Sequence, residues 1–431
     1  MSDRGGELPS ALRIAAWRGS AAFAVVALAG QIPPLLIQVF GGGLAWITAV
    51  KLGWLYMLSF HRVAIEVRGL SLPARETTQL VHVQIALLTG TALALWLLYR
   101  AGAAAASRAG DRTLPRVVVG ASVGVSYALL MLGVTVVTRL ELVAGGGFFP
   151  EVVTFAGVPW RSFAAPFSMG VVAGGLAGLL GSPALDGRLR GWLTAGARTF
   201  AISLGLALVA LLVFATVRPT GTRAYARALG SPQRAALTVG NQVLALPNHA
   251  VFVLVPAMGG CVSLRSDEAS EDVLCANRFP LLDSRLLPAL SELTVGRDPE
   301  DLTRPMRSLA LFALAPLLAV VAGGRLAARE GRGRSGRLAA ATGSAVVFAF
   351  LTGAAAWASS VGFDAVDVET GTGVATGAVL GPSPLEAVAL AAAWGLGGAV
   401  VGALLPDRRQ DAGEPLSALG AAEAPPRPTS L

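Results

Sequence analysis

The chain has 431 residues, of which 54 % are apolar and only 14 % charged, with a formal net charge of +8. A soluble domain normally carries roughly a quarter charged residues, so a water-soluble globular enzyme is excluded. The positive charge lies mainly on Arg residues at the ends of apolar segments, where lipid headgroups and the positive-inside bias account for it, so no nucleic-acid partner is expected.

In chain order, Gly19–Val50, Thr77–Tyr99, Val117–Thr138, Ser162–Leu185, Thr199–Val217, Ala235–Leu264, Ser308–Gly324, Leu338–Phe363 and Ala387–Pro406 contain no Asp, Glu, Lys or Arg. A helix needs about 20 residues to cross a bilayer, and backbone in lipid must satisfy its own hydrogen bonds. The expected fold is therefore all-α, a polytopic transmembrane helical bundle of about nine or ten spans. The alternating ten-residue strands of a membrane β-barrel are not seen, nor is an internal repeat. The bundle is expected over 20–405, with a short Arg-bearing cytoplasmic tail over 1–19. A first, uncleaved helix at Ser20–Phe40 is interrupted by Pro33 and Pro34, which should kink it. A polar, extracytoplasmic loop is expected over 261–305. The Pro-rich segment 406–431 reads as a disordered cytoplasmic tail. The sole lysine and the excess of Arg, Ala, Gly and Pro suggest a GC-rich bacterium.

Topology turns on Leu44–Phe60 and Leu237–Met258. If both span, there are ten crossings, which is the preferred reading, with Arg218–Arg234 cytoplasmic and Arg100–Arg116 external. If both dip in and return, those two loops exchange sides. In either case both termini lie in the cytoplasm of a bacterial plasma membrane.

Candidate chemistry is sparse. Asn241, Gln242, Pro247, Asn248 and His249 place amides, an imidazole and a helix breaker within an apolar run. Such a segment either lines a ligand or partner site or holds helices together through interhelical hydrogen bonds. Lys51 is costly if it sits at mid-bilayer, unless its stem snorkels to an interface. Cys261 and Cys275 are a candidate disulfide if their loop faces an oxidising exterior; two unpaired thiols are the alternative. The three histidines, His61, His82 and His249, have no ligand partners at metal spacing. No metal, cofactor or catalytic residue is assigned, and the clear spans carry no acid of the kind proton-coupled carriers use.

Leu52-Gly53-Trp54-Leu55-Tyr56, His61, Val67-Arg68-Gly69 and Leu95-Trp96-Leu97-Leu98-Tyr99-Arg100-Ala101-Gly102 resemble an actinobacterial multi-pass membrane family, some members of which are named cell division protein PerM. Asn241-Gln242-Val243-Leu244-Ala245-Leu246-Pro247-Asn248 is similar to that family's Leu-Pro-Asn motif. The resemblance covers Gly41 to about Leu264, and Arg62 departs from it, standing where the family pattern has Gly. It implies a non-enzymatic membrane protein of the cell envelope, a scaffold or partner-binding protein whose partners are the lipid bilayer and other membrane or division proteins. The alternative reading is a small-solute permease or channel with a midplane site at the Pro247–Asn248 break.

Overall fold

The computed structural model describes residues 7–41, 45–70, 79–144, 151–217, 232–266, 270–275, 314–329, 333–367 and 376–405. The helices are α1 (Glu7–Gly41), α2 (Trp46–Phe60), α3 (Leu88–Ala106), α4 (Thr113–Val137), α5 (Pro159–Leu180), α6 (Gly187–Val217), α7 (Pro232–Ala257), α8 (Leu314–Ala328), α9 (Gly333–Ser359) and α10 (Pro384–Leu404). Among the described residues six helices are long and apolar enough to cross a membrane. The chain is an integral, multi-pass membrane protein whose architecture is mainly helical, as its composition requires. Helix α1 starts at Glu7, well before Ser20, and runs through Pro33 and Pro34 without ending. The tail 406–431 lies outside the described residues.

Four hairpins interrupt the helices. They are formed by β1 (Ile65–Leu70) with β2 (Gln79–Gln84), β3 (Arg139–Ala144) with β4 (Glu151–Gly157), β5 (Cys261–Ser266) with β6 (Ser270–Cys275), and β7 (Val361–Asp367) with β8 (Thr376–Pro382). All eight strands join one sheet in the order β3-β4-β1-β2-β7-β8-β5-β6, with every pairing antiparallel. The hairpins therefore share one end of the molecule. Helix α3 must leave that end and α4 return to it, and α8 and α9 do the same.

The order is a four-strand pattern used twice, and the duplication extends to residue register. The pairs Ile65↔Gly157, Glu66↔Ala156, Val67↔Phe155 and Arg68↔Thr154 match Val262↔Pro382, Ser263↔Gly381, Leu264↔Leu380 and Arg265↔Val379. In the same frame Leu140↔Phe155 matches Val361↔Leu380. Each half supplies five helices and two hairpins in the same sequence order. The helices agree: Gly124 packs on Gly170 where α4 meets α5, and Ala345 packs on Gly395 where α9 meets α10. Likewise Gly102 of α3 meets Gly174, and Gly324 of α8 meets Ala399. Small residues at these crossings let backbones approach, the usual means of association where lipid removes a hydrophobic driving force between helices. The halves join where β2 pairs with β7, from Gln79↔Asp367 to Gln84↔Gly362.

Helices α2 and α7 run against the expected direction. Helix α1 lies parallel to α4, with Gly19 against Val123 and Phe23 edge-on to Tyr127, so it heads toward the sheet. Helix α2 is antiparallel to α1: Gln31 Nε2 donates to the Val50 carbonyl at 3.4 Å, and Gly30 abuts Gly53 and Met57. It thus descends from the sheet end. It stops at His61, which meets Tyr127, roughly 15 Å along α4 from the Val137 terminus at 1.5 Å per residue. The chain then returns as β1. Helix α7 does likewise, ending where Met258 meets Trp394, well inside α10, before β5 climbs back to pair Val262 with Pro382.

Candidate functional site

The two inward turns are the most chemically distinctive part of the bundle. Extending the strand register back along the chain without a gap pairs Arg62 with Gly259. Both have positive φ, 54° and 105°. Side chains avoid that region, because Cβ there crowds the following carbonyl, so glycine is the natural residue at this turn and Arg62 is the exception. The guanidinium of Arg62 lies 4.2 Å from the ring centroid of Trp357. Its Nε and Nη1 are buried without a hydrogen-bond acceptor among the described residues.

Next to it, His61 is buried with Nδ1 2.8 Å from the Met57 carbonyl and Nε2 2.6 Å from Tyr127 Oη. A carbonyl only accepts, so Nδ1 carries the proton, and Nε2 of the neutral ring accepts from the tyrosine hydroxyl. This closes the α2 turn against α4. The α7 turn is closed by Trp394 Nε1, which donates to the Met258 carbonyl at 2.8 Å.

Between the turns lies the joint of the two halves. Asn248 is 6 % exposed. Its Nδ2 donates to the Ala86 carbonyl at 2.5 Å, and its Oδ1 accepts from the Leu88 amide at 3.0 Å. Residues 85–87 connect β2 to α3, so their backbone polar groups have no regular ladder partner, and the asparagine supplies one from the other half. Thr89 Oγ1 donates to the Leu244 carbonyl at 2.8 Å. Thr91 Oγ1 donates to the Phe60 carbonyl at 2.6 Å, and the Leu87 amide to the Ser59 carbonyl at 3.2 Å.

No family model, curated protein or solved structure matches the chain.

The other residues singled out in the sequence fall as follows. Pro247 lies inside α7 beside Asn248, and both it and His249 are half-buried. Asn241 and Gln242 lie on α7, with side chains outside the described residues. Lys51 is half-buried on α2 at the position that matches Asn248 in the duplicated frame, so two sites noticed separately are one position seen twice. Cys261 and Cys275 are direct cross-strand partners on β5 and β6. Tyr127, Trp357 and Trp394 were not legible as site residues. Tyr127 in an apolar span reads as packing and tryptophans near helix ends read as membrane-interface anchors, so only the departure of Arg62 from a glycine pattern pointed to this turn.

Proposed function

We propose that the protein is a bacterial plasma-membrane scaffold, non-enzymatic, that presents its sheet outside the cell to partners of the division or envelope machinery. The observation that carries this reading is the sheet itself. Both halves build it, and its terminal strands β3 and β6 each pair on one side only among the described residues. Such edges are templates for strand addition by a partner. The polar groups of the joint are consumed in holding the halves together, as Asn248 illustrates, which supports a framework more than a transport path. The resemblance to the PerM-named family supports the same reading.

The arrangement we favour has eight crossings, with α2 and α7 re-entrant, in place of ten. The short connections at the end away from the sheet and the helix ends that flank them carry Arg108, Arg112, Arg188, Arg190, Arg329, Arg332 and Arg334 against Asp111, Asp186 and Glu330. By the positive-inside rule that end is cytoplasmic. Both termini lie there, and Arg218–Arg234 faces outside. Reporter fusions within 218–234 are expected to be active outside and silent inside; cytoplasmic activity there would restore the ten-crossing arrangement.

For the function, depletion in the native host should give elongated or bulging cells, and a photo-crosslinker at Leu142 on β3 should capture a division protein. Normal morphology without such adducts would sink the scaffold reading. A second reading has one observation in its favour: paired re-entrant helices in a duplicated fold are how many transporters build a midplane site. As a permease, the protein should show solute flux in vesicles that Asn248→Ala abolishes while membrane abundance is maintained.

A further inference from the structure

The duplication supplies an internal control for what the fold requires, and one region fails to match. On β1, β3 and β4 the side chains of Val67, Leu140 and Val153 are buried toward the core. The alternate residues point the other way and form two cross-strand rows. The first is Glu66–Ala156–Arg139 and the second Arg68–Thr154–Glu141. Each row puts an acid and a base on opposite flanks of a small residue, with the signs reversed between rows. These six residues line a cavity of about 400 Å³, closed on its other side by Thr135, Val136 and Pro159 at the ends of α4 and α5.

In the second half the row matching Glu66–Ala156–Arg139 is Ser263–Gly381–Ser360. Ser263 and Ser360 are 6 % and 2 % exposed, and Gly381 packs directly on Ser360. The same backbone is thus built there with small, buried residues. Arg265 repeats Arg68, but Glu66, Arg139 and Glu141 have become Ser263, Ser360 and Gly362. The sheet does not need these charges.

The charges are not all spent on one another. Arg68 Nε pairs with Glu66 Oε1, and His82 Nε2 lies 3.9 Å from Glu66 Oε2. Arg139 and Glu141, both exposed, have no ion pair among the described residues. The cavity also adjoins apolar surface at the helix ends: Val136, Val137 and Trp160 are 62 %, 79 % and 66 % exposed. A base and an acid side by side, at the level where a span leaves the bilayer, match a head that carries an anion and a cation on one short linker.

We infer that this cavity binds the zwitterionic headgroup of an aminophospholipid from the leaflet on the sheet side. Arg139 takes the phosphate, Glu141 takes the ammonium, and the acyl chains run down Val136, Val137 and Trp160. This rests on the membrane location alone and is independent of the partner-binding role.

The test uses full-length protein reconstituted in bilayers of equal phosphatidylethanolamine and phosphatidylglycerol, then extracted mildly for native mass spectrometry of retained lipid. Wild type should retain the ethanolamine lipid in preference by about tenfold, the scale of one charge-assisted hydrogen bond. Glu141→Gln should remove the preference while keeping lipid, and Arg139→Gln should lose both lipids. Ala156→Leu, which fills the trough without altering charge, should lose both as well, and Arg265→Gln in the other half should change nothing. Soluble phosphoethanolamine distinguishes the source: if the free head alone protects wild type against heat as strongly as the bilayer lipid does, the ligand is a solute and the lipid assignment is wrong. No selectivity in wild type, or equal selectivity in Glu141→Gln and Arg139→Gln proteins that elute as folded monodisperse species, would overturn the inference.

Discussion

Arg62 and Gly259 hold matching turns in the two halves, both at positive φ, and only one of them is a glycine. The turn reverses a descending helix into a rising strand inside the bundle, so its backbone conformation is set by the fold and not by the side chain. Arg62 carries the cost of that conformation and recovers part of it through Trp357. A Cβ at Gly259 meets only Leu390 at 3.9 Å, so the penalty there is conformational. Gly259→Ala should therefore destabilise by about 1–2 kcal/mol. Arg62→Ala keeps the strained backbone and loses the ring contact, a loss of about 0.5–1 kcal/mol, whereas Arg62→Gly exchanges that contact for relief of strain and should lie near wild type. Thermal unfolding in detergent of the three variants checks the order. Arg62→Gly less stable than Arg62→Ala would mean that the turn is not strained.

Asn248 distinguishes a structural amide from a ligand site. Its Oδ1 and Nδ2 are bonded to the Leu88 amide and Ala86 carbonyl of the other half. Asn248→Ala leaves both groups buried without partners, and each such group costs about 1–3 kcal/mol. The expected result is a marked fall in thermal stability. Asn248→Asp with a neutral carboxyl keeps an acceptor for the Leu88 amide and an O–H donor for the Ala86 carbonyl, so it should fall between alanine and wild type. An alanine variant as stable as wild type would show that water replaces the amide and that the segment is open.

The amide was legible in the sequence because polar side chains are rare in an apolar run. The spans were legible for the same reason, as stretches without charge. The hairpins were not. Ile65–Leu70 reads Ile-Glu-Val-Arg-Gly-Leu, an alternation of only six residues, and Glu66 and Arg68 give it the charges of an interfacial loop. The duplication was hidden because matched positions hold unlike chemistry: Lys51 with Asn248, Arg62 with Gly259, Glu66 with Ser263. What the halves share is backbone register and small residues at helix crossings, neither of which leaves a repeated string of letters.

His61 and Tyr127 make the corresponding closure on the first half. Tyr127→Phe removes a single oxygen and leaves His61 Nε2 buried without its donor, which should cost about 1–2 kcal/mol. His61→Asn cannot reach both Met57 and Tyr127 and should cost at least as much. A double variant lacking both polar groups should cost less than the two single losses added together, since partners removed together leave no orphan. Strict additivity in this cycle would mean that the two side chains do not interact.

Cys261 and Cys275 face each other across β5 and β6. Residues directly opposite in an antiparallel pair lie about 4.5–5.5 Å apart at Cα, within the range of roughly 4.4–6.8 Å that a disulfide spans. If the sheet lies outside the cell, as the arginine distribution argues, the pair should be oxidised. Protein purified with thiols blocked at lysis should then take up maleimide at neither cysteine until it is reduced, and at both afterwards. Closing so short a loop constrains the unfolded chain, so reduction, or Cys275→Ser, should cost about 3 kcal/mol on the entropic account. The effect should be confined to the edge hairpin, leaving the β2–β7 seam and the helices intact to hydrogen exchange. Labelling at both sites in unreduced protein would remove the disulfide, and it would also weaken the assignment of the sheet to the exterior, because the two inferences share the same premise.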